Sequence, residues 1–240
     1  SYQSAISKSI KLFNKTQIDG LVYVAMHDRD VMELIPKLSI PIVLVYCYDT
    51  SKKNGKESIF EIQYQMGDQG QQSDWLYYFI PKTTNAEIIG VIKGAEDSLP
   101  SQKRLRSFIT QLEKAGKELK EEYIFPGAWE FGDGVKAYER FKQLEEKPTA
   151  IFAMNDLMAT GFMDAALNDG VRIPEDVSVI GFDNRQECRF TRPRLTTVDI
   201  PLEKMGEKAG QVLLDLISGK TPENRKVILP CEFLEKNSVI

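Results

Sequence analysis

Residues 148–161 read PTAIFAMNDLMATG, residues 171–184 read VRIPEDVSVIGFDN, and residues 193–199 read PRLTTVD. Thr149 to Met154 is a short apolar run of strand type. Asn155-Asp156 stops it and can cap a helix, because Asx side chains accept orphan backbone N–H groups. Leu157, Met158, Gly161, Phe162, Ala165 and Ala166 then recur at helical spacing, which predicts a helix with one small, apolar face. Gly170 suits the left-handed position past the helix end. Val177 to Phe182 is a second apolar run, stopped by Asp183-Asn184. Strand, helix and strand, with polar residues where each strand stops, is the pattern of a buried parallel βαβ unit. Ligands of open parallel sheets sit outside the carboxyl ends of the strands, so Asn155 and Asp183 are site candidates on position alone.

Working outward, the pattern repeats. Ile88–Lys93 predicts a strand, Gln102–Ala115 a helix ended by Gly116, Tyr123–Ala128 a strand and Asp133–Leu144 a helix. Before them, Ile18–Ala25 and Ile40–Tyr46 are strand-like runs, Ile59–Gln65 alternates enough for another, and Gln71–Ile80 predicts a helix. After them, Leu195–Ile200 reads as a connection and Pro201 as the start of a helix, where its missing N–H costs nothing. Leu202, Met205, Ala209, Val212, Leu213, Leu216 and Ile217 give that helix an apolar face, and Val227–Phe233 predicts a last strand. The fold class is α/β, with doubly wound parallel sheets.

Three motifs, "AIFAMNDLMATG", "RIPEDVSVIGFDN" and "PRLTTVDIPLEKMG", stand in order and at the right spacing. Together they resemble the effector-binding core of lactose-repressor/galactose-repressor type transcription regulators. The resemblance is clear from about Ile88 onward and weaker from Ile6 to Ile80. It implies a periplasmic-binding-protein-like fold of two α/β subdomains joined by several crossovers, with a small effector between them. The division it implies is 1–84 with 199–222, and 85–198 with 223–240, the last strand falling in the second subdomain. Set beside the family, the chain starts near the second helix, so the first subdomain reads as incomplete. With two good parallel strands, 18–25 and 40–46, it makes a poor sheet.

Four residues fall where the strands of the second unit stop: Arg104, in the opening turn of the helix after 88–93, and Trp129, Asn155 and Asp183. Their chemistry suits a polyol. Asp183 accepts from paired hydroxyls, Arg104 donates in a planar fork, Asn155 does both, and Trp129 offers a ring face to the apolar side of a sugar. Singly, each has a plainer reading: a solvated helix arginine, a core-edge aromatic, a helix cap and a turn former. The resemblance tips all four: Arg104 stands as the family's effector-contacting arginine does, Trp129 where a cleft aromatic sits, Asn155 at the "ANDxMA" position, and Asp183 is the aspartate of "GFDN". Without ligand, Arg104 and Asp183 are expected to face water, so that their loss leaves stability unchanged. Tyr46 and Asp68 are further, weaker candidates. Tyr46 stands where the family often has an aspartate, and Asp68 heads a loose match to another motif.

The chain has 240 residues and a net charge of −4 with no basic run, so nothing in it is an electrostatic footprint for nucleic acid. Cys47, Cys188 and Cys231 are odd in number and widely spaced, which fits reduced thiols in a cytoplasmic protein. No apolar run approaches the ~20 residues of a membrane span. Phosphate-loop, dinucleotide and nucleophile-elbow motifs are missing, and His27 is the single histidine. An enzyme, a cofactor and a metal are therefore not expected. The function expected is the ligand-sensing, dimerising core of a sugar-responsive transcription regulator. Operator DNA would be bound through a helix-turn-helix segment outside this chain. The alternative is an extracytoplasmic sugar-binding protein of a transporter, with a sugar-processing enzyme behind both.

Overall fold

The structure is a computed structural model, and it describes residues 18–24, 40–45, 59–65, 88–220, 222–224 and 226–240. The expected helix over 71–80, together with His27, Tyr46, Cys47 and Asp68, lies outside the described residues. The chain divides into two compact units, Ser1–Gln65 with Pro201–Leu229 and Met66–Ile200 with Pro230–Ile240.

The first unit carries a four-stranded sheet in the order β1 (Leu21–Val24), β2 (Ile42–Val45), β3 (Ile59–Gln65), β9 (Lys226–Pro230). β1 and β3 both pair with β2 in parallel. The poor two-stranded sheet expected of this region is thus corrected, since β3 and β9 complete it. The all-apolar IVLV of β2 is fully buried, as befits a central parallel strand, whereas edge strand β1 leaves Val24 63% exposed. Helix α4 (Leu202–Ile217) buries Met205, Ala209 and Val212. Its expected apolar face is wider than the face it buries, because Leu202 and Ile217 are exposed.

The second unit has a four-stranded parallel sheet in the order β5 (Ile124–Phe125), β4 (Ile89–Ile92), β6 (Ala150–Ala153), β7 (Ser178–Ile180). β4 leads through α1 (Leu99–Lys114) to β5 on one side, and β5 through α2 (Phe131–Phe141) to β6 on the other. The strand order therefore reverses at β4, and the crevice beyond the carboxyl ends of β4 and β6 is the topological switch point. α1 begins three residues earlier than the sequence suggested, with Pro100 in its first turn, so Arg104 stands in the second turn.

Helix α3 (Asp156–Asn168) is capped by Asn155, whose Oδ1 accepts from the Met158 N–H at 2.9 Å. Two glycines let α2 and α3 touch backbone to backbone. A Cβ on Gly134 would lie 2.0 Å from the Met158 carbonyl oxygen, and one on Gly161 2.0 Å from that of Phe131. Tyr138 and Phe141 each pack edge to face with Phe162 beside this crossing, and they stack on one another.

The single last strand expected over 227–233 is two strands. β9 belongs to the first unit's sheet, and β10 (Glu232–Leu234) pairs antiparallel with β8 (Thr197–Asp199) in the second. Pro230, which has no N–H to give a ladder, and buried Cys231 stand at the break. The change of unit accordingly falls at 229–230, not at 222–223.

Candidate functional site

The switch point is built from four strand ends and the second turn of α1. After β4, the ring of Trp129 lies flat over Gly94: a Cβ there would sit 2.1 Å from Cζ2 and 2.3 Å from Cη2. Trp129 thus reaches from the end of β5 across the end of β4. After β6, the Asn155 Nδ2 donates to the Trp129 carbonyl at 2.8 Å while its Oδ1 caps α3. Asn155 is a helix cap and a clamp on Trp129 together. An amide has two N–H groups and two lone pairs, so one of each remains for a ligand.

Arg104 joins the strand ends. Its Nη1 donates to the Met154 carbonyl at the end of β6. Its guanidinium lies 3.7 Å from the centre of the Phe182 ring, beyond β7, and 5.6 Å from that of Trp129. Only 6% of Arg104 is exposed. The expectation that it faces water is therefore corrected. A guanidinium holds its charge in such a place because it is weakly hydrated and can stack on rings. Its carbonyl and ring contacts make it part of the fold even without ligand.

Asp183 is half-buried, and its backbone N–H is tied to the Val198 carbonyl at 2.9 Å. Burial pushes its carboxyl up to about 7; the Arg104 guanidinium pulls the other way, Asp156 adds to the rise, and Arg185 opposes it. Arg104, Trp129, Asn155 and Asp183 are thus brought together, by stacking, hydrogen bonding and charge.

The backbone singles out the same place. Trp129 (φ 76°), Asp183 (φ 113°) and Asn184 (φ 53°) are the positive-φ residues other than glycine among the described residues. For a bulky side chain such as Trp129 this conformation is strained, and strain of this kind gathers where function holds it. Sequence gave no hint of it, since nothing in "PGAWEFGDG" marks the tryptophan rather than a glycine for the left-handed region.

Several residues of the neighbourhood escaped the sequence reading. Asp156 was read as a cap beside Asn155, yet it is fully buried. Its Oδ1 accepts from the Thr197 hydroxyl at 2.6 Å and its Oδ2 from the Arg185 N–H at 2.8 Å. The Cys188 thiol is a third hydrogen-bond partner. Burial raises its carboxyl, and these three bonds oppose the rise. Gly181 belongs to the same knot, because a Cβ on it would lie 2.3 Å from Asp156 Oδ1. Asn184 donates from Nδ2 to Asp199 at 3.0 Å and accepts at Oδ1 from Lys236 at 3.2 Å. Burial pushes the Cys231 thiol up to about 12 and the Cys188 thiol higher still, so both are protonated at neutral pH. Among the described residues no group of His, Cys, Asp and Glu could hold a metal. No helix of the described residues is long and apolar enough to cross a membrane.

Known proteins share this fold. Residues 83–239 match the family described as periplasmic binding protein-like domain. A protein of Bacillus subtilis (strain 168) named "Probable HTH-type transcriptional repressor ExuR" is 32% identical over 223 residues, which are 92% of this chain and 64% of that protein. The chain thus spans less than two thirds of the length of that relative. Among solved structures, the sugar-binding transcriptional regulator (LacI family) from Escherichia coli complexed with phosphate superposes with a TM-score of 0.81. It is 24% identical, and the match covers 98% of this chain and 81% of that one. The transcriptional regulator CelR–cellobiose complex gives 0.81 at 24% identity, over 97% and 69%. At these identities the likeness is one of fold.

Proposed function

This chain belongs to the periplasmic-binding-protein-like domain family and is similar to transcriptional repressors, and from that premise we propose that it is the effector-sensing core of a sugar-responsive regulator. The observation that carries the reading is the strained, stacked cluster at the switch point. Trp129 and Asp183 hold positive φ there, and Arg104 contacts three strand ends. The effector is a sugar or sugar derivative. Its apolar ring face lies on Trp129, and its hydroxyl pairs donate to Asp183 and exchange hydrogen bonds with the remaining groups of Asn155. Arg104 positions the rim and supplies its positive charge. A cellobiose-bound regulator of the same fold supports the ligand class.

Control then follows from differential affinity: an effector shifts the regulator only as far as it binds one conformation better than the other. The core works in the cytoplasm as a homodimer, for which the exposed Leu202, Leu214 and Ile217 of α4 and Phe190 offer apolar surface. Operator DNA is bound through a segment outside these residues, since the net charge is −4. A transport-type binding protein of the same fold fits less well, because the relatives carry repressor names.

The test is calorimetric titration of a panel of sugars and sugar acids into wild type, Asp183→Ala and Arg104→Ala. Each substitution is expected to cost the binder roughly 1.5–3 kcal/mol, about ten- to a hundredfold in affinity. Wild-type affinity in both variants refutes the site. Sedimentation at micromolar concentration is expected to show a dimer, and a mobility-shift titration of these 240 residues no specific duplex binding.

A further inference from the structure

Beyond Asp183 the second unit holds a hollow of about 360 Å³ lined by Asn184, Arg189, Arg194, Leu234 and Lys236. We propose that it is a separate site for a phosphate-bearing small molecule, such as a sugar phosphate or inorganic phosphate.

The lining contains three cations and no carboxylate. None of the ion pairs among the described residues involves Arg189, Arg194 or Lys236, although Arg185 in the same stretch pairs with Glu187. Lys236 spends one of its three N–H donors on Asn184 Oδ1, at 3.2 Å. Three like charges around one hollow, in a chain whose net charge is negative, repel one another; a bound dianion reverses the sign of that interaction. Guanidinium forks suit phosphate oxygens in particular, because two parallel N–H groups meet two oxygens, and the lysine adds a point charge. Leu234 gives the wall one apolar patch, against which a carbon skeleton can lie. The volume lies within the range of small-molecule sites.

The location adds regulation. Asn184 lines the hollow, follows Asp183 directly and holds both Asp199 and Lys236. An anion that draws Lys236 away alters the support of the Asp183 turn. An anion bound here therefore changes sugar affinity at the rim, and the sugar changes anion affinity by the same factor. That coupling rests on the sugar-sensing reading, whereas anion binding itself does not.

The experiment is calorimetric titration of the full chain with inorganic phosphate, glucose 6-phosphate and glucose, at ionic strength held constant with sodium chloride. The expected result is one saturable site for the two phosphates. Arg189→Gln and Arg194→Gln should each weaken binding roughly tenfold or more. Both arginines are exposed, so the melting temperatures of these variants should match wild type, and misfolding cannot explain the loss. Equal affinity for phosphate and glucose 6-phosphate means that the site reads the anion alone. A tighter sugar phosphate means that it also reads the carbon skeleton. The proposal is overturned if neither phosphate saturates, if glucose binds as well as its phosphate and suffers the same losses, or if both variants keep wild-type affinity. Failure of the sugar panel at the rim leaves this result standing, because the two sites share no side chain.

Discussion

Two carboxylates in the second unit, 27 positions apart, show how differently burial can be used. Asp156 is met by three donors: the Thr197 hydroxyl, the Arg185 N–H and the Cys188 thiol. Its place in the first turn of α3 adds the favourable end of the helix dipole. The group is wholly enclosed, and it fastens α3 to the turn after β7 and to β8. Asp183 is pushed up by burial as well, but it is half-exposed, and its charge faces Arg104 across the rim. One carboxylate is occupied by the fold. The other stands where a ligand can reach it. A raised carboxyl therefore does not by itself mark a binding site; the donors already facing it decide.

The sharpest break of this contrast is Asp156→Ala. It strands a buried hydroxyl, a buried thiol and a backbone N–H, and should cost roughly 3–5 kcal/mol in urea unfolding without ligand. A loss under 1 kcal/mol would show that the knot is not structural. Next comes Arg104→Ala, which removes the bond to Met154 and the stack on Phe182. It should lower stability by roughly 2–3 kcal/mol before any ligand is added, where the sequence had suggested no change. Affinity must therefore be read on folded protein, well below the melting temperature of the variant.

Gly94→Ala tests the rim without touching a polar group. Its Cβ would enter the Trp129 ring, so the tryptophan must move. Expected are a change in tryptophan fluorescence, a stability loss of about 1–2 kcal/mol and a several-fold weaker sugar affinity. Unchanged fluorescence and affinity would remove Trp129 from the site.

The smallest effect is the dependence on pH. Asp183 has a raised native carboxyl, so the stability this brings is full below the unfolded carboxyl range, near 4. It is lost as the pH rises through about 7. Asp183→Asn mimics the protonated form, so its stability relative to wild type should improve by roughly 1–2 kcal/mol between pH 5 and pH 8.5, after allowance for solvent. A sugar whose hydroxyls donate to the ionised carboxylate should bind more tightly as pH rises through 7 and release a proton. Calorimetry in two buffers of different ionisation enthalpy measures that proton. A pH-independent stability gap would show that Asp183 titrates normally.

The sequence by itself determined the four parallel strands β4 to β7 of the second unit, the Asn155 cap and the run of polar residues at their ends, but not β8, which lies in the stretch 195–200 read as a connection. Those follow from local causes: an apolar run too short for a helix, an Asx side chain that reaches the N–H three residues on, a glycine past a helix end. The α2–α3 crossing was half legible, because small residues at helical spacing announced a close contact without naming its partner. Tertiary structure alone decided the rest. Whether Arg104 met water or the Phe182 ring depended on an element 78 positions away. Asp156 became a knot through residues 29 and 41 positions on, and Lys236 reached Asn184 across 52. The apolar run at 227–233 became strands of two sheets, since the positions on either side of Pro230 and Cys231 found different partners. A single chain states which groups it has and their local spacing. Which of them meet across the fold, and so whether a charge is enclosed, stacked or left facing a hollow, is settled only when distant elements pack.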